Sequence, residues 1–149
     1  EAAEIVMSSG IPLVMFGLDV TQHARIEEAH IGALESAGTV VSGAVGAMLR
    51  AYGSSDPCLH DPCAILYYLA PNLFSGLQAH VQVLQHPAEA RGSVVASVSE
   101  RHRDGRAANC LVITDCEAEE LFALLLQRLG SRSGSARSDR VQATGPAMS

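Results

Sequence analysis

The residues best suited to chemistry stand together in Leu59-His60-Asp61-Pro62-Cys63-Ala64-Ile65, where a loop gives way to an apolar stretch. His60 sets an imidazole beside the carboxylate of Asp61. A carboxylate can hold a hard cation through oxygen, and calcium prefers such ligands. An imidazole that titrates near neutrality can give a proton to a leaving group. A plainer reading competes with both. Asp is a favoured helix N-cap whether or not it binds anything, and a lone His beside it can be a solvated surface residue. Spacing alone leaves the two readings open.

The cysteines offer a second metal chemistry. Cys58, His60, Asp61 and Cys63, with Cys110 and Cys116, could be grouped as a zinc cluster. But Cys63 falls inside an expected apolar helix and Cys110 starts an expected strand. Their pair spacings, four and five intervening residues, are not those of tight zinc knuckles. The cluster is therefore set aside.

The elements that would position His60 and Asp61 are legible from periodicity. Residues 1–8 suit the end of a helix closed by Ser8-Ser9-Gly10. Residues 11–16 form a continuous apolar run, the pattern of a strand buried on both faces of an α/β sheet. It leads into Gly17-Leu18-Asp19-Val20-Thr21, where polar groups gather at the strand's C-terminal end, the end at which such sheets bind ligands. Residues 24–37 suit an amphipathic helix ended by Gly38. A second helix, with Val41, Ala44, Val45, Met48, Leu49 and Tyr52 on its packing stripe, ends at Gly53. Asp61 as N-cap and Pro62 as first helical residue open a third. From His80 the period becomes two, with Val81, Val83 and Gln85 alternating with Gln82 and Leu84. Residues 92–98 and 110–113 are further β-rich runs, and the three together predict a hairpin or meander. Thr114-Asp115-Cys116-Glu117 matches a capping box before a last helix that buries Ala118, Leu121, Phe122, Leu125 and Leu129.

Composition bounds the function. Apolar residues are 48% and charged residues 17% of 149, enough for one globular domain over residues 1–130. Aromatics are only 4%, so the core is expected to rest on Ala, Val, Leu and Ile. Residues 131–149, rich in Ser, Gly and Arg, are expected to form a disordered tail. A net charge of −6 argues against a nucleic-acid or anionic-membrane partner, which would call for a basic face. No apolar run approaches a membrane span, and a soluble, cytoplasmic chain is expected.

Several segments, in order, resemble the inosine–uridine-preferring nucleoside hydrolases. His60-Asp61-Pro62-Cys63-Ala64 resembles that family's H-D-P-C-A motif. Glu1-Ala2-Ala3-Glu4-Ile5-Val6 resembles its D-P-E-A-A helix, and residues 11–21 its strand ending in L-D-V-T. Pro71 and Phe74 fit its P-x-L-F segment, and Arg91-Gly92-Ser93-Val94-Val95 its R-G-x-T-V strand. Asn109 stands where the family often has Asn before a strand.

The resemblance implies the C-terminal portion of a Rossmann-like α/β fold, a mixed sheet flanked by helices. It implies hydrolysis of the N-glycosidic bond of a ribonucleoside, such as inosine or uridine, by a calcium-activated water. By position, Asp61 would be a calcium ligand that also contacts ribose, and His60 would protonate the leaving base. Relatives commonly form homo-oligomers. The family's aspartate cluster, D-x-D-x-G-x-D-D, is missing: Asp19, Asp56, Asp61, Asp104, Asp115 and Asp139 are scattered singly. One carboxylate cannot supply the six to eight oxygens that calcium takes, so weak or no calcium binding by this chain alone is expected. The start at Glu1, inside a helical pattern, is expected to mark a piece of something longer. A truncated, catalytically inactive homologue, acting as a binding protein or left as a remnant, is the alternative. His23 is expected in a solvated loop, and Tyr52 in core packing.

Overall fold

The computed structural model describes residues 1–53 and 55–130; the expected tail lies outside them. Among the described residues, besides two 3-10 turns (Pro71–Leu73 and Ala88–Ala90), the α-helices and strands are, in chain order, α1 (Ala2–Met7), β1 (Val14–Phe16), α2 (Leu18–Thr21), α3 (Glu28–Ser36), α4 (Val40–Tyr52), α5 (Asp61–Leu69), β2 (Phe74–Val83), β3 (Val94–Ser97), α6 (Glu100–Arg103), β4 (Cys110–Cys116) and α7 (Ala118–Gly130). The strands make one sheet in the order β1-β4-β2-β3. β1 and β4 are parallel, whereas β2 runs antiparallel to both β4 and β3. This is the expected α/β class with a mixed sheet flanked by helices. None of the described helices is long and apolar enough to cross a membrane.

Glycine punctuation behaves as read. Gly10 and Gly38 take φ of +78° and +70° just beyond α1 and α3, a region that costs a side chain dearly. Gly53 follows α4 directly. Inside α4, Gly46 serves packing: a Cβ there would stand 2.9 Å from Glu35 Cγ of α3. α4 therefore buries Ser42 and Gly46, whereas Val41, Met48 and Tyr52 are exposed. The expected apolar stripe on this helix is thus corrected at Val41, Met48 and Tyr52, the last 49% exposed and not core, whereas Leu49 packs partly buried against the core as expected. Close helix contact selects for the absence of a side chain, which a hydrophobic pattern does not register.

Other expectations are corrected by non-local pairing. The 11–16 strand shortens to β1, with Ile11 and Val14 exposed, because β1 ends the sheet and only one of its edges is paired. The 24–37 helix begins only at Glu28, since Ala24 and Ile26 lie buried in an extended strap. β2 begins at Phe74 rather than near His80. β2 and β3 do form a hairpin, but β4 inserts between β1 and β2, so there is no meander. The Thr114 capping box does not form, because Cys110–Cys116 is strand and α7 starts at Ala118. The Thr114 hydroxyl donates to Ser75 O across the β2–β4 pair instead.

Two buried clusters hold these layers. One joins Ala24, Ile26, Ile31, Leu59, Cys63 and Phe122, and the other joins Ala79, Val81 and Cys110. Scarce aromatics do more than composition suggested. Phe16, Tyr67 and Phe74 meet edge to face at 5.5–5.7 Å, and Phe122 stacks on His30 at 3.8 Å. Asn109 ties three pieces together. Its Oδ1 accepts from Val81 N at 2.7 Å, and its Nδ2 donates to Met7 O and Val81 O.

Candidate functional site

β1 delivers the chain to Gly17, after which α2 turns Val20 and Thr21 inward. Thr21 is a polar residue at 3% exposure. The strap before α3 then runs against the loop before α5. Ile26 N donates to Pro57 O at 2.7 Å, Leu59 N donates to Ala24 O at 2.9 Å, and Arg25 bridges Cys58 antiparallel. That clasp fixes the loop, so His60 emerges over Thr21 just where α5 begins. The helix starts at Asp61, with His60 in the capping position and no side-chain cap bond. The expected Asp61 N-cap is therefore displaced by one residue, and Asp61 is the first helical residue.

Both nitrogens of the His60 ring are engaged. Nδ1 lies 2.7 Å from Thr21 Oγ1, and Nε2 lies 3.0 Å from Asp56 Oδ2. An ionised carboxylate can only accept, so Nε2 carries a proton, and in the neutral ring Nδ1 accepts from the Thr21 hydroxyl. The His60 side chain is 17% exposed and that of Asp56 47%. The ring is thus fixed from its buried side and approached by a carboxylate from its open side. With both ring nitrogens protonated, Nδ1–H donates to Thr21 Oγ1, whose own hydroxyl faces Gly17 O at 3.4 Å. The imidazolium can pass its Nε2 proton to a base that takes the place of Asp56, leaving a neutral ring.

Asp61 lies elsewhere. Its carboxylate has no hydrogen bond or ion pair among the described residues, and it lines a cleft of about 420 Å³ between α5 and α7. Pro62, Ile65, Leu66, Leu69, Leu125 and Leu129 supply most of the remaining wall, and His60 is not part of it. The two neighbours in sequence are therefore not brought into one cleft. With no second carboxylate beside it, Asp61 does not make a calcium site from the described residues.

The ligand-type side chains that do converge are Asp56, Cys58 and His60, whose donor atoms all lie within 4.8 Å of one another. The wider cysteine cluster does not form. Cys63, fully buried in α5, donates its thiol hydrogen to Leu59 O at 2.8 Å. Burial, and then the neighbouring Cys116 and Cys58, push that thiol up to about 11. His23 is half-exposed as expected, 3.2 Å from Asp115 Oδ1.

Sequence reasoning missed Thr21 and Asp56 as partners of His60. Asp56 carried a usable signal, because Asp56-Pro57-Cys58-Leu59-His60 places three ligand types at alternate positions. Thr21, 39 residues away in sequence, carried none.

The sequence profile of the inosine-uridine preferring nucleoside hydrolases matches residues 1–123. The chain belongs to that family. It is 36% identical over 138 residues to the pyrimidine-specific ribonucleoside hydrolase RihA of Klebsiella pneumoniae, and 35% identical to that of Salmonella typhimurium. Each match covers 87% of this chain and 44% of the relative, so the chain spans less than half the length of these family members. Among solved structures, the purine-preferring ribonucleoside hydrolase from Gardnerella vaginalis superposes with a TM-score of 0.72 at 22% identity, over 87% of this chain and 43% of the other. A plant nucleoside hydrolase superposes with a TM-score of 0.75 at 17% identity, over 89% and 45%. At such identities these structures establish the shared fold.

Proposed function

We propose that this chain supplies part of the active site of an N-ribosyl hydrolase that splits ribonucleosides into ribose and free base. Membership of a nucleoside hydrolase family supports the reaction class. The observation that carries the reading is His60, held at a helix mouth between the Thr21 hydroxyl and the half-exposed Asp56 carboxylate. In this role Thr21 fixes the doubly protonated ring, and the leaving base displaces Asp56 to take the proton from Nε2, leaving neutral imidazole. Asp56 is half-exposed, so packing does not oppose its departure.

The rest of the site, in this reading, belongs to a longer protein that carries the chain. The length of the relatives supports this, as does an unpaired edge on β1 flanked by exposed Ile11, Val14 and Leu18. Calcium, when bound in that longer protein, would activate and orient the attacking water. Asp61 would offer it one oxygen and touch ribose. We place the longer protein in the cytoplasm as a homo-oligomer, with inosine, uridine or a related nucleoside as substrate.

A second reading, an inactive homologue that binds nucleosides without cleaving them, is favoured by the isolation of Asp61 from any other acidic ligand. Release of ribose from inosine and uridine, with and without calcium, separates the two when measured on this chain and on the longer protein. The hydrolase reading expects calcium-dependent release by the longer protein. There, His60→Ala should lower kcat by about 10²- to 10⁴-fold, the usual contribution of a general acid. Asp61→Ala should lose calcium affinity and activity together. Unchanged turnover in both variants would remove these roles.

A further inference from the structure

The loop before α5 carries an arrangement that the hydrolase reading does not use. Pro57, Cys58 and Leu59 are clasped to the Ala24–Ile26 strap, and a tight turn at Pro57, where Cys58 N donates to Asp56 O at 2.9 Å, keeps Asp56 beside Cys58. Leu59 turns into the core at 2% exposure, and Asp56, Cys58 and His60 share the other side. Asp56 Oδ2 and His60 Nε2 are 3.0 Å apart, and the Cys58 sulfur completes a triangle with no side above 4.8 Å. Ligands bound tetrahedrally to zinc at 2.0–2.3 Å stand about 3.5 Å from one another. The triangle needs only small side-chain adjustments to reach that spacing.

Three further observations fit an ion there. The donor set is one imidazole nitrogen, one sulfur and one carboxylate oxygen, which suits zinc-class ions and not calcium. Thr21 already occupies Nδ1, the outer bond that metal-binding histidines characteristically carry, and so aims Nε2 at the trio. One flank is dry, with Cys58 at 5% exposure, and the other is open to an entering ion along the half-exposed Asp56.

The geometry points to a binding site for a zinc-class divalent cation, held by Asp56 Oδ2, Cys58 Sγ and His60 Nε2, with Thr21 in support. Binding displaces the Cys58 thiol proton to solvent and takes the ring in its other neutral tautomer, with Nδ1–H donating to Thr21 Oγ1 and the Nε2 lone pair free to ligate. Three protein ligands leave a fourth tetrahedral position for water. The site goes beyond the hydrolase reading and does not depend on it. Where both hold, the ion and the leaving base compete for one nitrogen.

Titration of the metal-free chain with cobalt(II), followed by zinc competition, tests this. We expect about one cobalt per chain, the stoichiometry of a single closed site, with a thiolate-to-cobalt charge-transfer band that zinc abolishes. Cys58→Ser should remove the band. Asp56→Asn, a change at a half-exposed side chain that leaves folding intact, should weaken affinity at least about tenfold, and Thr21→Val should weaken it about 10- to 100-fold. Zinc should also slow alkylation of Cys58 but not of Cys110. No charge-transfer band in the unmodified chain, or a band that survives Cys58→Ser, overturns the site. So does an affinity unchanged in Asp56→Asn. Because no nucleoside enters the assay, such a failure leaves the hydrolase reading standing.

Discussion

Replacing Thr21 with Val tests the contact that fixes the His60 ring. The two side chains have nearly the same shape and Thr21 is 3% exposed, so Val fills the space and deletes only the hydroxyl. The deleted contact is 2.7 Å long and joins α2 to the mouth of α5. A neutral hydrogen bond is worth about 0.5–1.5 kcal/mol net, and a buried polar atom left alone costs about 1–3 kcal/mol. The ring keeps 17% exposure and an anchor on Asp56, so water can partly replace the hydroxyl. The expected loss is therefore at the lower end, about 1–2 kcal/mol, or roughly 5- to 30-fold in the folded-to-unfolded ratio. Urea unfolding of Thr21→Val, His60→Ala and the double variant gives the coupling between the two side chains. It should be about 1 kcal/mol, above the 0.3–0.5 kcal/mol within which independent sites add. A coupling inside that margin would show that Thr21 does not hold the ring. It would remove the basis for the orientation assigned to Nε2. In the longer hydrolase, the same variant should lower kcat more than it changes KM.

Two further outcomes follow from buried groups. The Cys63 thiol is raised to about 11 in the folded chain, whereas an unfolded thiol ionises near 8.5. The protonated form is thus favoured by folding. The stability it preserves is complete below the unfolded value and is lost as pH rises towards 11, by about 3 kcal/mol. The chain contains no lysine to titrate in that window. Thermal melts between pH 8 and about 11 should show a steep alkaline fall that is shallower in Cys63→Ala; equal slopes would count against the burial argument. Asn109→Ala removes bonds to Met7 and to both backbone groups of Val81. It should cost about 2–4 kcal/mol by chemical denaturation, and a cost under about 0.5 kcal/mol would mean that the asparagine is not a clamp.

Local chemistry was read well, and partners distant in sequence were not. Gly10 and Gly38 mark helix ends because their positive φ is a conformation decided by the residue itself. His60 stood out because its type and its place before Asp61-Pro62 are both local. The position of β4 could not be read, because its neighbours on both sides come from far along the chain. The same pairing overrode the Thr114 capping signal, which is an equally sound local pattern. On α4, Val41 and Met48 lie on an apolar stripe that helix periodicity would bury. The close approach of α3 at Gly46 turned the other side inward. At the site, Asp61 was legible as a residue but not in its direction, since the packing of α7 against α5 decides which cleft it lines.

The parallel pair of β1 and β4 has a kinetic consequence. Val14 meets Leu111 and Phe16 meets Ile113, partners about a hundred residues apart, and closing so long a loop slows folding. The β2–β3 hairpin and the β2–β4 pairing span far less chain and can form first. During synthesis, β1 must wait for almost all of the described chain to leave the ribosome before it finds its neighbour. Thr21, five residues beyond β1, meets His60 in its final position only once that last strand has docked.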